Sequence, residues 1–127
     1  MLVLALGCLL LGLYTGTQAI DAGRVKRANQ LGAQGNYTGA LREASQVTGG
    51  AQLTGALLTE AAADVALTRY AAASSLYARA SLRDPSNWSI HFAWSNVLAR
   101  LGRTAESDVQ MQQALVLDPR LGDGGAP

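Results

Sequence analysis

The pattern of apolar and polar positions divides the chain in two. From Met1 to Ile20 no charged residue occurs, and Leu2–Leu13 is almost wholly apolar. A helix of about 20 residues is about 30 Å long, the thickness of a bilayer's hydrocarbon core. The pattern therefore predicts a transmembrane helix over residues 1–20. A cleaved signal peptide is the competing reading, with Thr17-Gln18-Ala19 as a small-residue cleavage site. No Lys or Arg precedes the apolar core, whereas Arg24, Lys26 and Arg27 follow it. The positive-inside bias then places the rest of the chain on the cytoplasmic side of an inner membrane. On the signal-peptide reading the chain is exported instead.

Beyond Asp21 the pattern recurs with a fixed period. Asp84-Pro85 returns 34 positions later as Asp118-Pro119, and the same shift relates Arg69 to Arg103, Tyr77 to Met111 and Ala80 to Ala114. Small residues at Ala73, Ala80, Ser107 and Ala114 allow antiparallel helices to approach closely, while Tyr70, Tyr77, Met111 and Leu115 fill the space between them. Pro85 and Pro119 lack an N–H and disfavour helical geometry at the aspartate before them, so each ends a second helix. An earlier unit is signalled by Gly35-Asn36-Tyr37-Thr38-Gly39-Ala40-Leu41, which repeats the turn, the aromatic and the small residue. Its spacing is 33 from Tyr37 to Tyr70, and Gly49-Gly50 marks the loop where a residue is missing. The alanine-rich first helix of the middle unit, Leu57–Leu67, is placed by spacing alone.

These residues support a resemblance. The segment from Trp88 to Arg120 resembles a tetratricopeptide repeat (TPR), with Gly102 at the turn, Ser107 and Ala114 at the close-packing positions, and Leu115-Val116-Leu117-Asp118-Pro119 at the end. Trp94 stands where that family usually has leucine, and Thr104 replaces the tyrosine after the turn. The resemblance covers residues 21–120 and implies an all-α fold in which about three helix-turn-helix units form a short right-handed α-solenoid behind the N-terminal helix. Residues 121–127 are expected to be a flexible tail. One helix pair cannot bury its apolar faces alone, so three units are close to the minimum for stability.

In such a solenoid the concave face binds partners. The family's ligand-facing positions fall here on Val25, Asn29 and Ala33, then Leu58, Ala62 and Ala66, then Phe92, Asn96 and Arg100. The residues expected to meet a protein or peptide partner are therefore Asn29, Leu58, Ala62, Phe92, Asn96 and Arg100. Asn29 and Asn96 share one repeat position, where the resemblance implies an amide that holds a peptide backbone by donating and accepting at once. Arg100 is suited to a carboxylate.

Composition sharpens this picture by exclusion. The 127 residues are 49% hydrophobic and 15% charged, enough apolar surface for a packed core. The formal charge of +1 supplies no field that would draw nucleic acid. Cys8 is the one cysteine, so neither an intrachain disulfide nor a cysteine metal cluster is expected. His91 is the one histidine and has no nucleophile or ligand set beside it in the pattern, so a packing role is expected. The acidic residues are scattered and form no catalytic pair. Trp88, Phe92 and Trp94 lack the basic surroundings of a base-stacking site. No catalytic residue, cofactor or metal is expected.

Three smaller signals remain. Ala5-Leu6-Gly7-Cys8 resembles a lipoprotein box, but the residues after Cys8 stay apolar. Asn36-Tyr37-Thr38 and Asn87-Trp88-Ser89 match the glycosylation sequon, while the preference for Arg over Lys and the abundance of Ala and Gly point to a GC-rich bacterial gene in which both matches are accidental. Finally, an apolar span, a basic segment, repeats and the string Asp84-Pro85-Ser86-Asn87-Trp88 together resemble the C-terminal region of bacterial O-antigen ligase-like membrane proteins. That resemblance implies an alternative role as the non-catalytic tail of a longer polysaccharide-assembly protein.

Overall fold

The structure, a computed structural model, describes residues 2–123, with side chains from residue 16 onward. Six α-helices follow one another: α1 (Leu2–Ala33), α2 (Tyr37–Ala44), α3 (Leu53–Ala66), α4 (Tyr70–Arg83), α5 (Trp88–Arg100) and α6 (Thr104–Leu117). A 3-10 turn over Pro119–Asp123 closes the series, and no strand occurs among the described residues. The helices pair as α1/α2, α3/α4 and α5/α6, and successive pairs stack through α2 on α3 and α4 on α5.

One turn geometry joins the helices within all three pairs. Gly35, Thr68 and Gly102 occupy the same register with φ of 78°, 59° and 73°. After each, an N–H reaches back five residues to close the helix end: Asn36 to Leu31 O at 2.8 Å, Arg69 to Asp64 O at 2.8 Å, Arg103 to Leu98 O at 2.9 Å. This is the Schellman closure, which satisfies orphan carbonyls and favours glycine at the left-handed residue. The middle unit makes the turn with a β-branched threonine. At the other corners Asp84 and Asp118 leave the helical region, with φ of −135° and −137°, as the prolines after them require.

The first unit is one residue short in spacing, with Gly35 and Thr68 33 positions apart, and it also divides its residues differently. Its second helix, α2, has 8 residues where α4 and α6 have 14 each. Ser45 to Gln52 form the connection, with Gly50 at φ 74°. The middle unit's first helix begins at Leu53, four residues before the expected Leu57. Leu121–Asp123, expected in the tail, belong to the 3-10 turn, and Gly122 approaches Leu115 on α6. The remaining tail residues lie outside the described residues.

Small side chains set the helix spacing. Ala28, Ala44, Ala56, Ala61, Ala73, Ala80 and Ala114 have no exposed surface. Around them Leu53, Leu57, Leu76, Tyr77, Ile90 and Val97 form a core drawn from α3, α4 and α5. A smaller cluster of Ala28, Ala44, Val47 and Ala56 joins α1 and α2 to α3.

α1 is one continuous helix of 32 residues, about 48 Å long at 1.5 Å per residue. It runs through the expected boundary at residue 20 and becomes the first helix of the first unit. Among the described residues no helix is long and apolar enough to cross a membrane. The expected span over 1–20 falls mostly on residues 1–15, whose side chains lie outside the described set.

Candidate functional site

The first helices α1, α3 and α5 carry the expected partner-facing rows, and the structure divides those rows by depth. Asn29, Ala62 and Asn96 are exposed at equivalent positions, as are Ala33, Ala66 and Arg100 one turn further on. The row Val25, Leu58, Phe92 behaves differently. Val25 packs on the smaller cluster and Leu58 on the main core. Phe92 is 37% exposed and meets Trp88 edge-on, with ring centroids 6.4 Å apart. Val25 and Leu58 are thus partly covered by packing, whereas Phe92, on the last pair among the described residues, is left exposed.

Asn96 and Arg100 are brought together. They line a cavity of about 240 Å³ with Val65, Tyr70, Tyr77, Ala93 and Val97. The Arg100 guanidinium lies 6.0 Å from the centre of the Tyr70 ring, a cation–π distance. No carboxylate among the described residues pairs with Arg100, and no described group hydrogen-bonds the Asn96 amide. The cavity thus presents an aromatic and aliphatic floor with an amide and a guanidinium at its rim.

Asn29 and Ala62 line a second cavity, of about 210 Å³, with Ala28, Gly32, Tyr37, Ala40, Thr59 and Ala63. Thr59 Oγ1 lies 2.8 Å from Asn29 Oδ1 and 2.9 Å from Gly55 O. One hydroxyl hydrogen serves only one of them, so the Asn29 amide either accepts from Thr59 or, turned over, donates to it. Either way one polar end of Asn29 remains for a ligand. Tyr37, Thr59, Val65 and Tyr70 were not among the expected contact residues. For Tyr37 and Tyr70 the signal is the aromatic after the first two turns, whereas Thr59 and Val65, inside α3, carry no such sign.

The carboxylates of α3 do not join these cavities. Asp64 is buried with Arg69 Nε 3.5 Å away. Burial raises its carboxyl above the usual range, and Arg69 opposes the shift. Burial also raises Glu60, against the pull of Arg79 and with a further push from Asp64.

His91 is buried and fully engaged, with Nδ1 2.8 Å from Gln110 Oε1 and Nε2 2.9 Å from Pro85 O. It ties the corner before α5 to α6. Trp94 is held by Nε1–H donation to Ser74 Oγ at 3.0 Å. Among the described residues no three His, Cys, Asp or Glu side chains form a metal-binding group. Both sequon asparagines act as N-caps: Asn36 Oδ1 accepts from Gly39 N at 2.9 Å, and Asn87 Oδ1 from Ser89 N at 3.2 Å.

Neither a protein-family model nor a curated protein matches the chain. Among solved structures it is similar to the second TPR domain of Spaghetti (RPAP3), bound to the HSP90 peptide SRMEEVD. The TM-score is 0.77 at 17% identity, over 89% of this chain and 99% of that one. The three stacked helix pairs, the shared turn and this likeness together give the chain the tetratricopeptide fold.

Proposed function

We propose that the chain is a TPR scaffold that captures a peptide segment of a partner protein along the face carrying Asn29, Ala62, Asn96 and Arg100, and that residues 1–20 tether it to the inner membrane with the repeats on the cytoplasmic side. The observation that carries the peptide reading is the cavity beside Asn96 and Arg100. An amide and a guanidinium, both without a polar partner among the described residues, stand over an apolar floor. Such a rim suits an extended peptide, whose backbone needs a donor and an acceptor and whose carboxylates need a cation. The peptide-bound state of the similar RPAP3 domain supports the same ligand class. The chain acts as an interaction module and not as an enzyme.

The tether reading is supported by α1, which carries the uncharged segment into the first unit without a break. The string Asp84-Pro85-Ser86-Asn87-Trp88 is accounted for locally. Asp84 accepts from Asn87 Nδ2 at 3.1 Å while Asn87 caps α5, so the corner needs these residues whatever the larger protein.

Crosslinking from photo-reactive residues at positions 96 and 100 identifies the captured segment. With that peptide in hand, Asn96→Ala and Arg100→Ala should each weaken binding about tenfold or more while leaving the melting temperature nearly unchanged. Equal binding by all three proteins would remove this cavity from the site. Carbonate-resistant membrane retention with protease-shielded repeats is the expected topology, and release of a shortened soluble chain would replace the tether by a signal peptide.

A further inference from the structure

A further cleft lies away from the cavity beside Asn96 and Arg100. It opens between α1 and α2, has a volume of about 410 Å³, and is lined by Ile20, Gly23, Arg24, Arg27, Glu43 and Gln46. Arg24 and Arg27 lie one turn apart on the same side of α1, and Glu43 faces them from α2. None of the three makes an ion pair or side-chain hydrogen bond among the described residues. Two guanidiniums and one carboxylate thus line a single open cleft without having neutralised one another. Beside them Ile20 leaves 58% of its surface exposed.

We propose that this cleft binds the headgroup of a zwitterionic phospholipid of the phosphatidylethanolamine type, with the phosphate on Arg24 and Arg27 and the ammonium on Glu43. Guanidiniums recognise phosphate oxygens with two parallel N–H donors. A carboxylate on the far wall favours a ligand that carries a positive group a few ångströms from its phosphate, and it disfavours a headgroup that is only anionic. An acidic peptide would meet Glu43 with like charge.

Depth selects a lipid as the source of this chemistry, a step that rests on the tether reading. If residues 1–20 fill the hydrocarbon layer, Arg24 stands about 6 Å and Arg27 about 10 Å beyond its edge along α1. The interfacial layer is roughly 5–8 Å thick on each side of the bilayer. Arg24 then sits at phosphate depth, and the Arg27 side chain tilts back toward it, as helical side chains lean to the N-terminus. Ile20 lies at the start of the acyl region, and Lys26 adds to the basic interface. Asp21, one turn before Arg24, is outside the lining of the cleft.

The test uses the full-length chain in mixed micelles containing equal amounts of dioleoyl phosphatidylethanolamine and dioleoyl phosphatidylglycerol, with retained lipid counted by native mass spectrometry. The wild type should retain the ethanolamine lipid in preference. The double variant Arg24→Gln/Arg27→Gln should retain about tenfold less. Glu43→Gln should erase the preference between the two lipids. None of these side chains belongs to a core cluster, so circular dichroism should be unchanged. Equal retention by wild type and double variant, or a wild-type preference for the glycerol lipid, overturns the proposal. Carbonate washing of the same proteins separates this from the tether: a chain that stays in the membrane but retains no lipid refutes the cleft alone. If the chain leaves the membrane, soluble glycerophosphoethanolamine is titrated instead. Binding that depends on Arg24 and Arg27 then upholds the headgroup chemistry, and its absence refutes both.

Discussion

Single residues carry unequal shares of this fold. Thr68 holds a left-handed conformation that Gly35 and Gly102 hold at the equivalent turns. An L-residue there is strained by about 1–2 kcal/mol, whereas glycine costs about 0.5–1 kcal/mol in unfolded-chain entropy. Thr68→Gly should therefore stabilise the protein by about 0.5–1 kcal/mol, read as a rise in melting temperature. Asp118 offers a second check. Hydrogen bonding from the Arg120 side chain lowers its carboxyl below the ordinary 3.8, aided by the Arg120 backbone and charge. The folded state thus binds this proton less tightly than the unfolded state. Its contribution is present above the unfolded value and fades as pH falls through the folded one. Asp118→Asn should lower the melting temperature at pH 7, and the difference from wild type should vanish in strong acid. Asp64 has the opposite sign. Burial raises its carboxyl despite Arg69, so it favours folding at low pH and loses that contribution as pH rises through its folded value.

Among the elements, helices α4 and α6 are equivalent in repeat position and unequal in burial. α4 buries Ala73, Ser74, Leu76, Tyr77 and Ala80, whereas α6 buries Ala114 alone. The reason is position: α4 is packed between α3 and α5, and α6 packs chiefly on α5, with the 3-10 turn beside it. Ala114 therefore sets the approach of α6 to its partner. Ala114→Trp should overpack that crossing at a cost of about 1–3 kcal/mol or more, seen as early melting of α5 and α6. Melting identical to wild type would contradict the repeat packing. Ser107, at the matching small position, adds a bond from its Oγ to Ser95 O at 2.8 Å. On the opposite side of α6, Val109 and Val116 are 63% and 74% exposed.

At the scale of the whole molecule, contacts run only between neighbouring pairs, so stability should be graded along the stack. The main core draws on α3, α4 and α5. Amide exchange should be slowest in α3 and α4 and fastest in α6 and the short α2, where the helix ends are close and the burial is small. Uniform protection throughout would show that the three units unfold as one. The headgroup cleft and the peptide cavity beside Asn96 share no lining residue. The cleft depends on α1 and α2, and the peptide cavity on α3 to α5. Loss of one function without the other is therefore the expected outcome of substitutions at Arg24 or Asn96.

Much of the fold was legible in the chain because it rests on local rules. Proline fixes the corners at Asp84 and Asp118, glycine marks two of the three turns, and small residues at a 34-residue period require close helix crossings. The ligand-facing positions implied by the resemblance include Asn29, Ala62, Asn96 and Arg100, which are exposed on the first helices. The resemblance did not separate these from Val25 and Leu58, because which positions are covered depends on packing against other helices and not on the position within one unit. The left-handed Thr68 was hidden for a related reason: threonine gives no local sign of a turn that the surrounding helices impose. Tyr70 beneath Arg100, the meeting of Thr59 with Asn29, and the cleft shared by Arg24, Arg27 and Glu43 all join residues from different helices. Only the stacking of those helices decided that they meet.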